Sequence, residues 1–377
     1  MDKSNISFRC IECNQEIEQL KEAWNELHLN CSRPSVYNSF DFIYESIRAF
    51  NNEEITTAII TLTDDASNQL LAIFPMQQHS SFWHIIKMNT YEYTALEEVD
   101  KPGPVIRKGY MEICWSSFIQ YLMHQVKNWD HLQLIEIAED SAELDFLEKL
   151  SVDNNFYYEK IFQNQGPMLN LQGDWNDYWH QHKKMRKKIR KMDNDFAERI
   201  EFKIHQDDWE ECLQLYIELE QKSWKKGKTG ISKNQQYKAF YSQFFSKIAA
   251  EGNLYFGFLT IDGQLVSAEI AYTNNATVYF CHGCYDQAYS KYSPGMVSTS
   301  HFIKYFYGEK YKEGDFLCGF AGYLNDWSDE ILNTYKINIY PRRLKVRIMF
   351  VVRALRRRFI KPVIKGVKVI HGKIRPK

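Results

Sequence analysis

Two titratable residues interrupt runs that otherwise read as buried strands. Glu269 stands in VSAEIAY, where a carboxylate is costly unless it is paired or used. His282 stands in TVYFCHGCY, alternating with Phe280 and Cys284, which predicts that it faces inward. Either could take a proton from a substrate, and an imidazole has a suitable pKa for that work. Each has a plainer alternative: Glu269 as an outward-facing strand residue, His282 as a hydrogen-bonded core residue. Downstream, Ser293-Pro294-Gly295 joins strand to helix. Such a turn exposes backbone amides at the positive end of the helix dipole, which suits a phosphate. Pro favours a helix start, and Gly lets a ligand approach the backbone. The expected binding residues are Tyr292, Ser293, Gly295, Met296, Val297 and Ser298, with free amides at Met296 and Val297. Nucleophile motifs of the GxSxG type are absent.

The elements that must position these groups lie between Leu254 and Gly319. LYFGFLTIDGQLVSAEIAY is two apolar runs joined at Asp262-Gly263, a strong hairpin signal. ATVYFCHGC follows as a third strand, in which Gly283 predicts a bulge or a close ligand approach. YSPGMVSTSHFIKYFYG carries Val297, Phe302 and Phe306 at helical spacing, and DFLCG reads as a return strand. The N-terminal half repeats this plan. SFDFIYESIRAF precedes TTAIITLTDDASNQLLAIFPM, then WHIIKMNTYEY, KPGPVIRKGYMEICWSSFIQYLMHQV and HLQLIEIAE. At its turn, Gly103 is followed by Pro104, which has no N–H to donate, so ligand binding is expected in the second copy. The Gln-, Asn- and Gly-rich stretch Phe162 to Trp175 reads as a linker. Beyond it, WNDYWHQHKKMRKKIRKM is a basic helix with Met185, Ile189 and Met192 on one face. It is either a solvated amphipathic helix or an electropositive wall beside the cleft. Asp207 is expected to cap the next helix, with Glu210 at N3, and Asn234 the one after.

The Asp262-Gly263 hairpin, VYFCHGCYD, Tyr292-Ser293-Pro294-Gly295 and Asp315-Phe316 followed by Gly319 resemble the GNAT superfamily of acyl-CoA acyltransferases. More narrowly they resemble the cellulose-biosynthesis CelD-like and BioF-like acetyltransferases, related to the Fem-type peptidyl transferases. The resemblance runs from Gln19 to Asn338 and rests on order and spacing. It implies an α/β (α+β) chain of tandem GNAT-like domains, each a mixed twisted sheet flanked by helices, with a basic C-terminal helical tail. Residues 1–170 would form a degenerate domain shaping the acceptor groove, 171–340 the acyl-CoA-binding domain, and 341–377 the tail. It also implies acetyl-CoA or another acyl-CoA as co-substrate, no metal, and a thioester carbonyl polarised by backbone amides of Thr277 to Tyr285. The acceptor would attack directly, with Glu269 or His282 as base. Where relatives carry an acidic residue and Tyr-Lys, this chain reads FAGYLNDWSDE. Tyr323 is the nearest counterpart, a candidate to protonate the leaving thiolate, with packing as its alternative.

At 377 residues, 44% hydrophobic, the chain can bury two domain cores. No apolar run reaches the roughly 20 residues that cross a bilayer, and MDKSNISFRC reads as no export signal, so the expectation is cytoplasmic. Cys10-Cys13 and Cys281-Cys284 have CxxC spacing, yet residues three apart in a strand point oppositely, so no metal is expected.

The formal net charge of −1 hides an asymmetry. Pro341 to Lys377 holds 14 Lys or Arg and no acid, while residues 1–340 hold 33 Lys or Arg against 48 Asp or Glu. In the tail, Leu344, Ile348, Val351, Val352 and Leu355 form one helical stripe among arginines. That predicts peripheral contact with anionic lipid at the inner face of the membrane, or a strap packed on the acidic body. Three functions compete: an acyl-CoA-dependent N- or O-acyltransferase acting on a small molecule or glycan precursor, an aminoacyl-tRNA-dependent Fem-type transferase, and a non-catalytic component of a polysaccharide-synthesis complex. No RNP-like or stacking motif supports a nucleic-acid partner.

Overall fold

The computed structural model describes residues 6–355 apart from 51–53, 84, 95–98, 127, 310, 319–321, 323 and 329, and apart from the side chains of 188 and 193. Its strands are β1 (Ile6–Ile11), β2 (Ile55–Asp64), β3 (Gln69–Trp83), β4 (Ile86–Tyr93), β5 (Val105–Ile106), β6 (His131–Ala138) and β7 (Tyr157–Asn170). They continue as β8 (Ile200–His205), β9 (Leu254–Ile261), β10 (Gln264–Asn274), β11 (Thr277–Tyr285), β12 (Glu313–Asp315) and β13 (Glu330–Tyr340). All join one sheet in the order β1-β2-β3-β4-β6-β13-β7-β12-β11-β10-β9-β8, with β5 beside β3. Each half follows one hairpin-led plan: three antiparallel strands, a helix, then a strand returning parallel to the third. In the first half the parallel pair is β4 with β6, in the second β11 with β12. The halves interlock because β13, from the C-terminal end, inserts between β6 and β7.

The Asp262-Gly263 turn forms as its residues dictate, with φ of 50° and 79°, the left-handed pair a tight hairpin requires. One core spans both halves on a single face of the sheet, where the helix Phe40–Phe50 meets Gln235–Ala250. Phe42 lies edge-on to Phe240 and Phe244, with ring centroids 5.4 and 5.2 Å away. On the other face the cores are separate. Phe74 stacks on Phe118 under the helix Met111–His124, and the helix Pro294–Tyr307 buries Val297, Phe302 and Phe306. The basic helix Lys183–Phe196 buries Met185, Ile189 and Met192 in that last core, as its spacing predicts.

Four expectations are corrected. The stretch beginning at Phe162 is no linker, because β7 runs to Asn170 at the middle of the sheet, pairing β12 on one side and β13 on the other. Its polar residues are spoken for: Asn164 donates to Glu136, and Gln165 to Asn333. The helix Trp209–Lys222 starts from Asp208, in a left-handed conformation with no side-chain cap, and not from Asp207. Asn234 does cap its helix, accepting from the Tyr237 N–H at 2.9 Å. Third, the stripe of the helix Leu344–Leu355 does not pack on the body. Val346 and Met349 do, while Leu344, Ile348, Val351, Val352 and Leu355 stand exposed. Fourth, a bulge at Cys281 breaks the strand alternation, with consequences for the site.

Candidate functional site

The parallel pair β11–β12 is joined only from Thr277 to Tyr279. Beyond Tyr279 the chain of β12 turns off at Leu317, which adopts φ of 64°. Among the described residues, the edge of β11 from Phe280 to Tyr285 therefore has no strand partner on that side. It borders a cavity of about 960 Å³. The cavity takes lining from both faces of the sheet: Gly295, Met296 and Thr299 on one, Trp224, Lys225 and Tyr241 on the other. An exposed strand edge offers main-chain donors and acceptors in a row, which is what an extended, amide-containing ligand requires.

Glu269 lies in this cavity, 7% exposed. The Thr299 hydroxyl donates to its Oε1 at 2.6 Å. Burial pushes its carboxyl up to about 8, and the Thr299 bond draws it partly back. Across the β10–β11 ladder its direct partner is Gly283, where a Cβ would meet the Glu269 Cγ at 3.6 Å. The predicted bulge thus sits at Cys281, not at Gly283, and Gly283 instead sets bare backbone beside the Glu269 side chain on the cavity wall.

The bulge pairs Ile270 with His282 and Ala271 with Phe280, leaving Cys281 extra. Hence Phe280 packs with the Pro294–Tyr307 helix while His282 faces Tyr216 and Tyr241 across the sheet, with ring centroids at 6.5 and 4.8 Å. His282 does not alternate with Phe280 as expected. Burial, and then the Lys225 charge, lower its imidazole to about 3, so it is neutral and a weak base near pH 7. Glu269 and His282 line one cavity from opposite faces. The bulge also sets Cys281 and Cys284 against the same core, which the strand period alone would forbid, but burial raises both thiols.

At the helix start, Ser293 has φ of 55° and its carbonyl accepts from the Met296 and Val297 N–H groups at 3.0 and 3.3 Å. The expected free amides at these two positions are therefore engaged. The left-handed Ser293 turns its own carbonyl under the first turn, which leaves the Gly295 N–H without a hydrogen-bond partner among the described residues. Ser293, Gly295 and Met296 line the cavity, whereas Val297 and Ser298 are fully buried beneath. Tyr292 is held between basic groups, with the Lys191 and Lys291 ammoniums 5.5 and 4.6 Å from its ring centroid. The basic helix thus packs beside this turn. Tyr323 lies outside the described residues.

A cluster at the junction of the halves closes the cavity. Asp315 accepts from the Lys101 ammonium at 2.6 Å, and Asp100 from the Cys318 N–H at 2.6 Å. Glu136 accepts from the Lys101 N–H at 2.9 Å and from Asn164 at 2.6 Å. Lys101, Glu136 and Leu317 all adopt left-handed φ, costly conformations for non-glycine residues. Burial, then Glu136, raise the Asp100 carboxyl well above its ordinary range. Burial opposes the Lys101 charge, but Asp315 outweighs it and the ammonium is held protonated. Asp100, Glu136 and Cys318 bring one ligand atom each within 4.8 Å of the others. The Asp100 and Glu136 oxygens already accept hydrogen bonds from Cys318, Lys101 and Asn164, and burial raises the Cys318 thiol. The criterion that found Glu269, a carboxylate inside an apolar strand, applies equally to Glu136 in HLQLIEIA. Asp100 and Lys101 carry no such signal.

Residues 180–324 match the family described as an acetyltransferase (GNAT) domain, which spans the basic helix, β10, β11 and the Ser293 turn. No curated protein matches the chain. Among solved structures, FemX is similar over 86% of this chain and 96% of its own, at 7% identity and a TM-score of 0.56. A conserved protein of unknown function from Bacteroides thetaiotaomicron matches over 89% and 100%, at 14% identity and 0.54. L-PGS from Bacillus licheniformis matches over 91% and 96%, at 11% identity and 0.50. The chain has a GNAT-type acyltransferase fold.

Proposed function

We propose that the protein transfers an acyl group, acetyl above all, from acyl-CoA to an amine or hydroxyl that attacks the thioester directly. The observation that carries this reading is the open β11 edge, with Glu269 and its cross-strand partner Gly283 lining the cavity beside it. The free edge would pair with the amide-bearing arm of the donor, and the Gly295 amide with the flanking Lys191 and Lys291 would meet its phosphates. Backbone N–H groups around the Cys281 bulge would polarise the thioester carbonyl. Glu269, in its ionised form, would take the proton as the acceptor forms its new bond to the acyl carbon and the carbon–sulfur bond breaks. The thiolate then leaves and takes up the proton that Glu269 has accepted, which returns the carboxylate to its ionised form. The acceptor, a sugar or glycan precursor, rests on the resemblance to cellulose-biosynthesis enzymes. It would enter from the Trp224–Tyr241 side, where Tyr37 of the first half also lines the cavity, and pass the open β11 edge to reach Glu269 on the other face.

A second reading, aminoacyl transfer of the Fem type, is favoured by the engagement of the Met296 and Val297 amides, which leaves a smaller phosphate cradle. Release of free CoA thiol from acetyl-CoA, followed over a panel of amino sugars and sugars, tests the first reading. Acceptor-dependent release that is lost in Glu269→Gln supports it. No release with any acceptor, alongside transfer from a charged tRNA, supports the second.

A further inference from the structure

We propose that the helix Leu344–Leu355 and the neighbouring β3–β4 hairpin tip form one docking surface for an anionic lipid bilayer. The helix has two apolar faces. Val346 and Met349 pack with Met88 and Tyr340, and ion pairs anchor it: Lys345 to Asp130 at 2.5 Å and Arg353 to Glu159 at 3.1 Å. These fix the opposite stripe outward, so Leu344 is 76% exposed and Val351 58%. The stripe does not stand alone. Lys345 donates to the Lys87 carbonyl at 3.3 Å, which sets the helix against the hairpin whose turn carries Ile85, 92% exposed. Trp83 and Ile86 at the base of this tip pack into the same small cluster as the helix. Large apolar side chains thus stand exposed on the helix and at the adjoining turn, a feature that marks an interaction surface.

The charges around it select the occupant. Arg342, Arg343 and Arg347 flank the stripe, and the chain from Pro341 to Lys377 holds 14 basic residues without one acid. The two acids facing the helix, Asp130 and Glu159, are already paired. A second copy of this chain would bring the same positive surface against itself, so a homodimer through this face is disfavoured. A lipid surface supplies both what the stripe and tip require and what the arginines attract. Among the described residues no helix is long and apolar enough to cross a membrane, so the contact is interfacial.

Co-sedimentation of the full chain with vesicles tests this, using an equal mixture of phosphatidylglycerol and phosphatidylcholine against phosphatidylcholine alone. The expected result is salt-sensitive binding to the anionic vesicles. Binding should fall at least tenfold in Ile348→Asp/Val351→Asp and measurably in Ile85→Asp. All three positions are exposed, so the variants should keep the wild-type melting temperature. Equal sedimentation of wild type and variants, indifference to both vesicles, or a concentration-dependent dimer abolished by the same substitutions would overturn the proposal.

Discussion

Glu269 and Gly283 are direct partners across the β10–β11 ladder, and the glycine sets bare backbone against the buried side chain of its partner on the cavity wall. A buried acid with a pKa of about 8 is poised between its two forms near physiological pH, where a general base works best.

Glu269→Gln should lower turnover by roughly 10²-fold or more while leaving donor affinity unchanged, as loss of a general base does. Because the ionised form is the working one, wild-type turnover should climb with pH and level off above about 8. His282→Gln should cost far less and leave that limb in place, since the imidazole titrates near 3. A pH profile retained in Glu269→Gln and lost in His282→Gln would reverse the assignment.

The same carboxyl predicts a stability effect. Its folded pKa is raised above the unfolded value of about 4.3, so the native state holds more protons between these pH values. Stability contributed by the neutral acid is therefore present at low pH and lost as pH rises through about 8. Glu269→Gln, neutral throughout, should melt higher than wild type at alkaline pH and show a smaller fall on moving there from pH 6. Parallel melting curves across pH would contradict this.

Gly283→Val should narrow the cavity beside Glu269 without unfolding the strand, for a Cβ there makes only ordinary contact with the Glu269 Cγ at 3.6 Å. The expected outcome is an unchanged or raised melting temperature, from a better strand former, with kcat/KM reduced at least tenfold. Retained activity would mean that the acceptor reaches Glu269 by another path.

The Lys101–Asp315 pair joins the halves in a buried setting. Lys101→Met leaves Asp315 without its cation and should cost about 3–5 kcal/mol, as breaking a buried pair does. Lys101→Met/Asp315→Leu should recover part of that loss. Chemical denaturation reads both, and additive losses would show that the pair is not coupled.

Much of this organisation is written in local sequence. Asp262-Gly263 fixes a hairpin, Asn234 a helix start, and Glu269 stands out because a carboxylate does not belong in an apolar strand. What escapes is set by pairing between distant segments. The polarity of β7 reads as a linker until Asn164 meets Glu136. The Cys281 bulge arises from the register of β11 on β10, and it alone decides which face His282 takes. The Met296 and Val297 amides read as free until the left-handed Ser293 turns its carbonyl beneath them.

Isothermal titration of the full-length protein with acetyl-CoA tests the central claim most directly. The account predicts saturable binding, weakened more than tenfold, or about 1.4 kcal/mol, by Gly295→Pro. That substitution removes the leftover amide and drives atoms toward Tyr285, whose Cδ1 lies 3.3 Å from a Cβ at this site. Gly103→Pro in the first half should bind as wild type. Absence of heat with acetyl-CoA, or equal affinity in a folded Gly295→Pro, would contradict it.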